Sequence, residues 1–408
     1  MALWAFFRCK STQNFPNLQL NMYFCSDFYM ILSRKPLSWL LLAALFVACK
    51  ESKQTEPVVM PWGEVADSVP VGDDFDLDRI QASGELILLT ITGPQTYYDY
   101  HGRHLGTQYM LAQRFADRLG VGLRVEVCRD SAEMAAKLSE GDADIMASPT
   151  PGTLVVSPNK PLLAAELKRW YRPQLLDSVR QEEDYLLSAR SVKRRVFSPM
   201  LDRKGGVISH YDQLFIEHSK KIRWDWKLMA AQCYQESTFD PQAKSWAGAC
   251  GLMQIMPSTA DHLGLPRSKM FDPEQNIAAA ARYLGELEGL LNDIPTRSER
   301  LNYVLASYNG GLHHIRDAMA LAQRDGKNPH RWADVSQYVL KLAQPEYYND
   351  PIVKHGYMRG SETYNYVLKI LERWDGYRGI KTPRLGFTPS EPRRASKVRK
   401  KKYDIETP

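Results

Sequence analysis

The first structural signal along the chain is an alternation of short apolar runs with amphipathic stretches in residues 78–180. Three apolar runs have the length of buried strands: residues 85–90, 123–127 and 143–147. Amphipathic helices are predicted at residues 106–119 and 131–138, with Gly120 as the residue that ends the first of them. This strand–helix–strand–helix–strand order favours a parallel sheet with right-handed crossovers.

From about residue 208 the strand–helix alternation gives way to a purely helical pattern. The apolar residues that follow position 226 have the spacing of a buried helix, which would carry Glu236 in its last turn. Further helices are predicted at residues 276–291 and 301–307. The fold class is therefore α+β multidomain: an N-terminal α/β domain at 78–180 and a mainly α domain at 205–378.

The stretch between these domains is basic. Residues 185–204 contain four closely spaced cations: Arg190, Lys193, Arg194 and Arg195. This stretch is either a linker or the first helix of the second domain.

The net charge of +6 is concentrated at one end of the 408 residues. Seven lysines and arginines lie between residues 393 and 402, so the rest of the chain is close to neutral. Residues 379–408 are expected to be a solvated, disordered tail, with contact to anionic lipid or wall polymer as the alternative. No nucleic-acid partner is expected.

The N-terminal region has the pattern of an export signal. Residues 30–49 contain a short basic stretch, an apolar stretch too short to span a bilayer comfortably, and Cys49 in a context that resembles the lipobox of bacterial lipoproteins. We expect a lipid on Cys49, an outer-membrane location facing the periplasm, and a linker at 50–77. Residues 1–29 are expected to be an over-extended gene start before Met30. The alternative is a membrane anchor that is not cleaved.

Glu236 is the strongest candidate for catalysis. A carboxyl at the end of an apolar helix is partly desolvated, which raises its pKa and keeps it protonated as a general acid near neutral pH. Asp240 lies four residues further on, but it precedes Pro241 and is more typical of a turn or cap.

Several motifs in the second domain occur together in one family. They are Glu236-Ser237, Gly251 to Pro257 with Thr259-Ala260, Asp272-Pro273 with Asn276, residues 306–311 (Ala-Ser-Tyr-Asn-Gly-Gly) and residues 362–367 (Glu-Thr-Tyr-Asn-Tyr-Val). In order and spacing this set resembles the lytic transglycosylases with a goose-lysozyme-like fold, which cleave peptidoglycan. The resemblance covers about residues 210–375.

The resemblance implies a mechanism with one carboxyl. Glu236 would protonate the oxygen between N-acetylmuramic acid and N-acetylglucosamine, and the muramoyl N-acetyl group would supply the internal nucleophile. A 1,6-anhydromuramoyl end would form without water, which is one of the exceptions to the two-carboxylate rule.

The resemblance also implies supporting residues in a sugar-binding groove. These are Ser237, Ser245, Gly251, Met253, Gln254, Tyr308, Asn309 and Tyr366. Tyr308 would place its hydroxyl on Glu236, Gly251 would allow close approach of the backbone to the sugar, and Ser245 would orient the N-acetyl group or a polar neighbour. For Ser237 a helix cap, and for Met253 the core, remain equal alternatives.

The first domain resembles the first lobe of amino-acid-type periplasmic solute-binding proteins. The matching positions include Gly84-Glu85-Leu86, Tyr97-Tyr98, Phe115-Ala116 and residues 141–144 (Gly-Asp-Ala-Asp), and residues 162–171 resemble the returning helix of that lobe. The second lobe is missing. A truncated lobe is expected to be a structural or docking module rather than a sensor, and no ligand residues are assigned to it.

Cysteine usage leaves one question open. After removal of the signal, Cys128, Cys233 and Cys250 remain in an oxidising compartment. Cys233 and Cys250 either form a disulfide or are two buried thiols. No metal or cofactor is expected, since His313-His314 is more typical of a surface than of a ligand pair.

These patterns predict an outer-membrane lytic transglycosylase that acts on peptidoglycan glycan strands; protein partners are unknown. A lysozyme-type muramidase and a non-catalytic peptidoglycan-binding lipoprotein are the alternatives. A solute sensor fused to an enzyme would require the missing lobe.

Overall fold

The computed structural model describes residues 76–148 and 153–379. The predicted gene start at 1–29, the signal with Cys49, almost all of the linker and the basic tail after Gly379 lie outside these ranges, so they stay predictions. Within the described ranges, every helix is too short or too polar to cross a bilayer.

In the described residues 76–148 and 153–186, which we call the first domain, the chain forms a four-stranded sheet, a separate hairpin and five helices. In chain order these are α1 (Leu77–Ser83), β1 (Glu85–Thr90), β2 (Tyr98–Tyr100), β3 (Arg103–Leu105), α2 (Thr107–Leu119), β4 (Gly122–Val127), α3 (Ser131–Glu140), β5 (Ile145–Ala147), β6 (Leu154–Val156), α4 (Pro161–Trp170) and α5 (Pro173–Leu186). The sheet order is β4-β1-β5-β6, and β1 runs parallel to both β4 and β5.

The predicted parallel core of this domain is confirmed, with two additions. Strand β6 pairs antiparallel with β5, and β2 and β3 form a hairpin of their own. Both additions consist of three-residue strands, too short to produce a period-2 pattern that sequence reasoning could detect.

The core of the first domain explains why β1 lies at the centre of the sheet. Leu86, Leu88 and Leu89 are buried, so β1 is covered on both faces. Helix α2 contributes Leu111 and Phe115 to the same core, and ends, as predicted, at Gly120 in the left-handed region (φ 77°).

The second domain is entirely helical apart from turns and isolated bridges. Its helices are α6 (Asp212–Lys221), α7 (Trp226–Ser237), α8 (Pro257–His262), α9 (Pro273–Leu290), α10 (Arg297–Gly310), α11 (Leu312–Arg324), α12 (Trp332–Lys341), α13 (Pro345–Tyr348) and α14 (Gly360–Arg378). Residues 185–204 contain only the end of α5 and one 3₁₀ turn, Ala189–Ser191. The first-helix alternative for this stretch was therefore wrong, and the stretch is a linker.

Helix α7 lies at the centre of the second domain. It packs against α14 and α6, and residues on all its faces are buried, among them Leu228, Met229, Ala231 and Cys233. A helix that is apolar all round belongs in a core. The core thereby fixes the end of α7, where Glu236 lies.

Candidate active site

The end of α7 places Glu236 beside an unusual turn. Asp225 caps the start of the helix, where its carboxylate accepts a hydrogen bond from the Lys227 amide (3.0 Å). The helix ends at Ser237, so Glu236 lies in its last turn as predicted, and Thr238 and Phe239 both have positive φ (54° and 62°). Two consecutive non-glycine residues in this region require support from surrounding contacts.

The surroundings of Glu236 favour its protonated form. Burial raises its pKa to about 7, a shift increased by nearby Glu362 and opposed by Tyr366, His101 and Arg194. The Tyr366 hydroxyl donates a hydrogen bond to Oε1 of Glu236 at 2.5 Å. The predicted rise of the Glu236 pKa is therefore confirmed, and the group is suited to general acid chemistry near pH 7.

Tyr366, rather than Tyr308, is the tyrosine bonded to the glutamate. The Tyr308 hydroxyl donates to the Met253 carbonyl oxygen at 2.8 Å, so the predicted bond from Tyr308 was wrong. Tyr366 is held in place because α14 packs on α7 and the Gln232 amide donates to its hydroxyl oxygen (3.2 Å). The negative charge of Glu236 adds to burial in raising the pKa of Tyr308, so both rings lie near the carboxyl.

Asn276 organises the loop after α7. The sequence analysis placed this residue in a family motif but predicted no role for it. Its amide donates to the carbonyl oxygens of Cys250 (3.0 Å) and Met270 (2.7 Å), and its Oδ1 accepts from the Met253 amide (2.8 Å). Gly251 has φ 79°, and a Cβ there would lie 2.5 Å from both the Asn276 amide nitrogen and the Met270 oxygen. Asn276 and the Met270 oxygen therefore require glycine at position 251, and the approach of this backbone to a sugar stays a prediction.

Three other predicted groove residues are engaged inside the protein. Met253 is fully buried, as its core alternative predicts. Ser237 is also fully buried and its hydroxyl donates to the Cys233 carbonyl oxygen (3.2 Å), which is the capping alternative. The Ser245 hydroxyl accepts from the Ala249 amide (2.9 Å) and stabilises a turn.

A cavity of about 440 Å³ is lined by three of the predicted groove residues, Gln254, Tyr308 and Asn309. This position is compatible with substrate binding, which stays a prediction. Gln254 has φ 49°, and its amide donates to the carbonyl oxygens of Ala243 (3.1 Å) and Gly251 (2.9 Å). Asn309 accepts a hydrogen bond from the Thr363 hydroxyl (2.8 Å).

The cavity lining includes Glu362, a carboxyl near Glu236 that the sequence analysis did not propose for the site. Glu362 accepts hydrogen bonds from Tyr100 (3.0 Å) and from the His101 ring (3.4 Å), with Arg359 at 3.4 Å. Burial raises the pKa of Glu362, but His101, Arg359 and Tyr100 outweigh it and lower that pKa overall. The signal available was the motif at residues 362–367, of which only Tyr366 was proposed for the site.

One wall of the cavity comes from the first domain. The hairpin of β2 and β3 contributes Asp99, Tyr100, His101 and Gly102. The Tyr100 ring stacks parallel to Trp246 of the second domain, with centroids 6.0 Å apart. The position of this hairpin in the site could not be predicted, because a contact between two domains produces no periodic hydrophobic pattern in the sequence.

The predicted disulfide is absent, and the alternative of two buried thiols is correct. Cys233 and Cys250 are buried and free. The Cys233 thiol donates to the Leu252 carbonyl oxygen (3.3 Å) and the Cys250 thiol to that of Gly248 (3.3 Å). Each thiol is therefore engaged with backbone rather than with the other sulfur.

His313 and His314 were predicted to be surface residues, and this holds for only one of them. His313 is exposed, but His314 is half-buried, and both line the cavity. Burial lowers the pKa of His314. The His313 ring stacks on that of His355, 4.7 Å between centroids, and these rings form part of the cavity wall beyond Glu362.

Comparison with known proteins agrees with the geometry of the site. The family model of the transglycosylase SLT domain matches residues 213–330. Membrane-bound lytic murein transglycosylase F of Desulfosudis oleivorans is 42% identical over 152 residues, which are 37% of this chain and 33% of that protein. The protein of the same name from Citrobacter koseri is 28% identical over an alignment of 435 positions, which covers 76% of this chain and 81% of that protein.

Among solved structures, the 70 kDa soluble lytic transglycosylase Slt70 of Escherichia coli is 26% identical, with a TM-score of 0.30, over 41% of this chain and 24% of that chain. The chain aligns with about a third of the length of the Desulfosudis oleivorans protein and with most of the length of the Citrobacter koseri protein. Residues 213–330 thus match the model of the transglycosylase SLT domain, and 76% of the chain is similar to a membrane-bound lytic murein transglycosylase F.

Proposed function

We propose that this protein is a lytic transglycosylase that cleaves peptidoglycan between N-acetylmuramic acid and N-acetylglucosamine and leaves 1,6-anhydromuramoyl ends. The observation that carries the proposal is Glu236, a carboxyl with its pKa raised to about 7, held by Tyr366 in a domain of the SLT family. The relatives named as lytic murein transglycosylases support the same substrate class.

The first step would use Glu236 as an acid. Because Tyr366 donates to Oε1 of Glu236, that oxygen acts as an acceptor and the proton belongs on the other carboxyl oxygen. Glu236 would transfer that proton to the glycosidic oxygen as the C1–O bond breaks. The N-acetyl oxygen of the muramoyl residue would attack C1 and form an oxazolinium ion.

The second step would use Glu236 as a base. Its carboxylate would take the proton of the C6 hydroxyl while that oxygen attacks C1 and the oxazolinium ring opens. The proton lost in the first step is regained, and no water enters. An intramolecular hydroxyl held near C1 replaces a second catalytic group.

Lysozyme-type hydrolysis is a second candidate, favoured by one observation. Glu362 lines the cavity and stays ionised, since its pKa is lowered, whereas Glu236 is held neutral. Two carboxyls with pKa values pushed apart are the arrangement of a two-carboxylate glycosidase.

The nature of the products distinguishes these functions. The experiment is mass spectrometry of muropeptides released from purified peptidoglycan by the full chain and by Glu236→Gln. Products lighter by one water than reducing muropeptides, and absent with Glu236→Gln, are the expected result. Reducing ends would instead establish a hydrolase. Absence of any product from the wild-type chain would leave a wall-binding protein.

For the first domain we propose a single lobe of the periplasmic-binding-protein fold that acts as a structural or docking module. The parallel order of β4, β1 and β5 supports the lobe, and the hairpin contribution to the cavity supports a structural role. A melting temperature that rises with amino acids or muropeptides would favour a sensor instead, since a ligand at 100 times Kd adds about 2.7 kcal/mol.

Anchoring through a lipid on Cys49, in the outer membrane and facing the periplasm, is part of the same proposal. Fractionation of cells that express the wild-type chain or Cys49→Ser tests it, with release of the variant from the outer membrane as the expected result.

A further inference from the structure

The linker before the second domain runs along the turn that follows α7. Lys193 and Lys244 exchange two backbone hydrogen bonds of 2.9 Å each. Two residues further on, the Arg195 amide donates to the Asp240 carboxylate (2.6 Å) and the Thr238 hydroxyl donates to the Arg195 carbonyl oxygen (2.8 Å). The Phe197 amide donates to the Thr238 carbonyl oxygen at 3.4 Å. Residues 193–197, which we call the brace, thereby hold both sides of this turn.

The contacts of the brace coincide with the strained backbone. Thr238 (φ 54°) and Phe239 (φ 62°) directly follow the helix that carries Glu236. Non-glycine residues with such φ angles are strained and persist only where neighbouring contacts determine their conformation. Thr238 receives two such contacts from the brace through its hydroxyl and carbonyl groups.

One side chain of the brace reaches the glutamate itself. The Arg194 guanidinium donates a hydrogen bond to the main-chain carbonyl oxygen of Glu236 at 2.8 Å. A cation at the last turn of a helix is favoured by the helix dipole, and it also satisfies a carbonyl that has no partner within the helix. Arg194 is half-buried, whereas the neighbouring Arg195 side chain is exposed.

We propose that Arg194 is a positioning residue for Glu236: through the brace it fixes the end of α7 and sets the charge environment of the proposed acid. This inference rests on the proposed function for its kinetic consequence. Arg194 lies outside residues 213–330, so the match to the SLT domain model gives no role to this residue.

The charged and titratable groups around Glu236 come from five parts of the chain. They are Arg194 in the brace, His101 in the hairpin, Cys233 on α7, Tyr308 on α10, and Glu362 and Tyr366 on α14. Among them, Arg194 belongs to the linker and is bonded to the backbone of Glu236. Its positive charge lowers the pKa of Glu236 and thus opposes the effect of burial. Removal of Arg194 should therefore raise that pKa.

The test compares Arg194→Met with Arg195→Met, which removes the same charge one residue further along while keeping the backbone contacts. Two readouts are used on the full chain: the pH dependence of kcat and KM on peptidoglycan, and ¹³C NMR titration of the Glu236 carboxyl, assigned with Glu236→Gln. For Arg194→Met we expect the Glu236 pKa to rise by about half a unit to one unit, kcat to fall about tenfold, and KM to change little. Arg195→Met should match the wild type.

Arg194→Gln provides a second arm in case the methionine variant does not fold, because it keeps an N–H donor for the Glu236 carbonyl and removes the charge. Its titration should also shift upward. If both readouts of the folded Arg194 variants coincide with those of Arg195→Met, the inference is overturned. If the wild-type chain shows no activity, the proposed function fails, but the NMR titration still decides the role of Arg194.

Discussion

At the residue scale, the candidate site centres on Glu236, whose carboxyl accepts a hydrogen bond from Tyr366 and has a pKa raised to about 7. The end of an apolar helix is a local feature, so the position of Glu236 and its raised pKa could be inferred from the chain alone. The choice between Tyr308 and Tyr366 depends on how α10 and α14 pack around α7, which is a tertiary property. Glu362 was missed for the same reason, because two of its polar partners, Tyr100 and His101, lie more than 250 residues away in the sequence.

The two tyrosines give a matched pair for a kinetic test. Tyr366→Phe removes the hydrogen bond to Oε1, so we expect kcat to fall about tenfold to a hundredfold. Because that bond lowers the pKa of Glu236, the alkaline limb of the pH profile should move upward. Tyr308→Phe removes a bond to the Met253 carbonyl and should leave the alkaline limb in place. A shift seen with Tyr308→Phe and not with Tyr366→Phe would reverse this assignment.

At the element scale, most of the regular structure could be predicted. The helices with clear apolar periodicity and the buried parallel strands were found, since burial imposes a period on the sequence. The short strands β2, β3 and β6 were missed, and the linker could not be distinguished from a helix. These segments derive their conformation from hydrogen bonds to distant residues, such as those between Lys193 and Lys244.

The loop between α7 and α8 depends on one glycine, Gly251. Gly251→Ala places a Cβ against Asn276 and the Met270 oxygen in a left-handed backbone, and we expect a loss of about 3 kcal/mol in the free energy of unfolding. Gly264→Ala is the control, because Gly264 has φ 66° but no atom within 4 Å of the added Cβ; it should lose about 1 kcal/mol. Equal losses in urea unfolding would show that Asn276 is not what requires glycine at 251.

At the scale of the whole molecule, the two domains meet in one site. The carboxyl of Glu362 on α14 is held by Tyr100 and His101 of the first domain, while Glu236 on α7 belongs to the second domain alone. Glu362 therefore links the two domains and is held in its ionised form, whereas the surroundings of Glu236 favour its neutral form. Their effects on the stability of the folded chain should have opposite signs.

Glu236 makes the folded protein less stable as the pH rises. Its pKa is raised from 4.5 to about 7 on folding, so the folded state binds more protons than the unfolded state within that window. Its favourable contribution is complete below pH 4.5 and is lost by about pH 7. Glu236→Gln should thus be more stable than the wild type at pH 8, by on the order of 2 kcal/mol, and the difference should disappear toward pH 4.5.

Glu362 supplies the control of opposite sign. Because its pKa is lowered on folding, its contribution is present above the ordinary carboxyl pKa and is lost as the pH falls through the lowered value. Glu362→Gln should therefore be less stable than the wild type at pH 8, with a difference that shrinks in acid. Urea unfolding of Glu236→Gln and the wild type at pH 8 and pH 5 measures the first effect, and unfolding of Glu362→Gln and the wild type at pH 8 and about pH 3 measures the second. A loss of stability at pH 8 in Glu236→Gln would mean that its carboxyl is ionised and well solvated in the folded chain, and that the acid of the proposed reaction lies elsewhere.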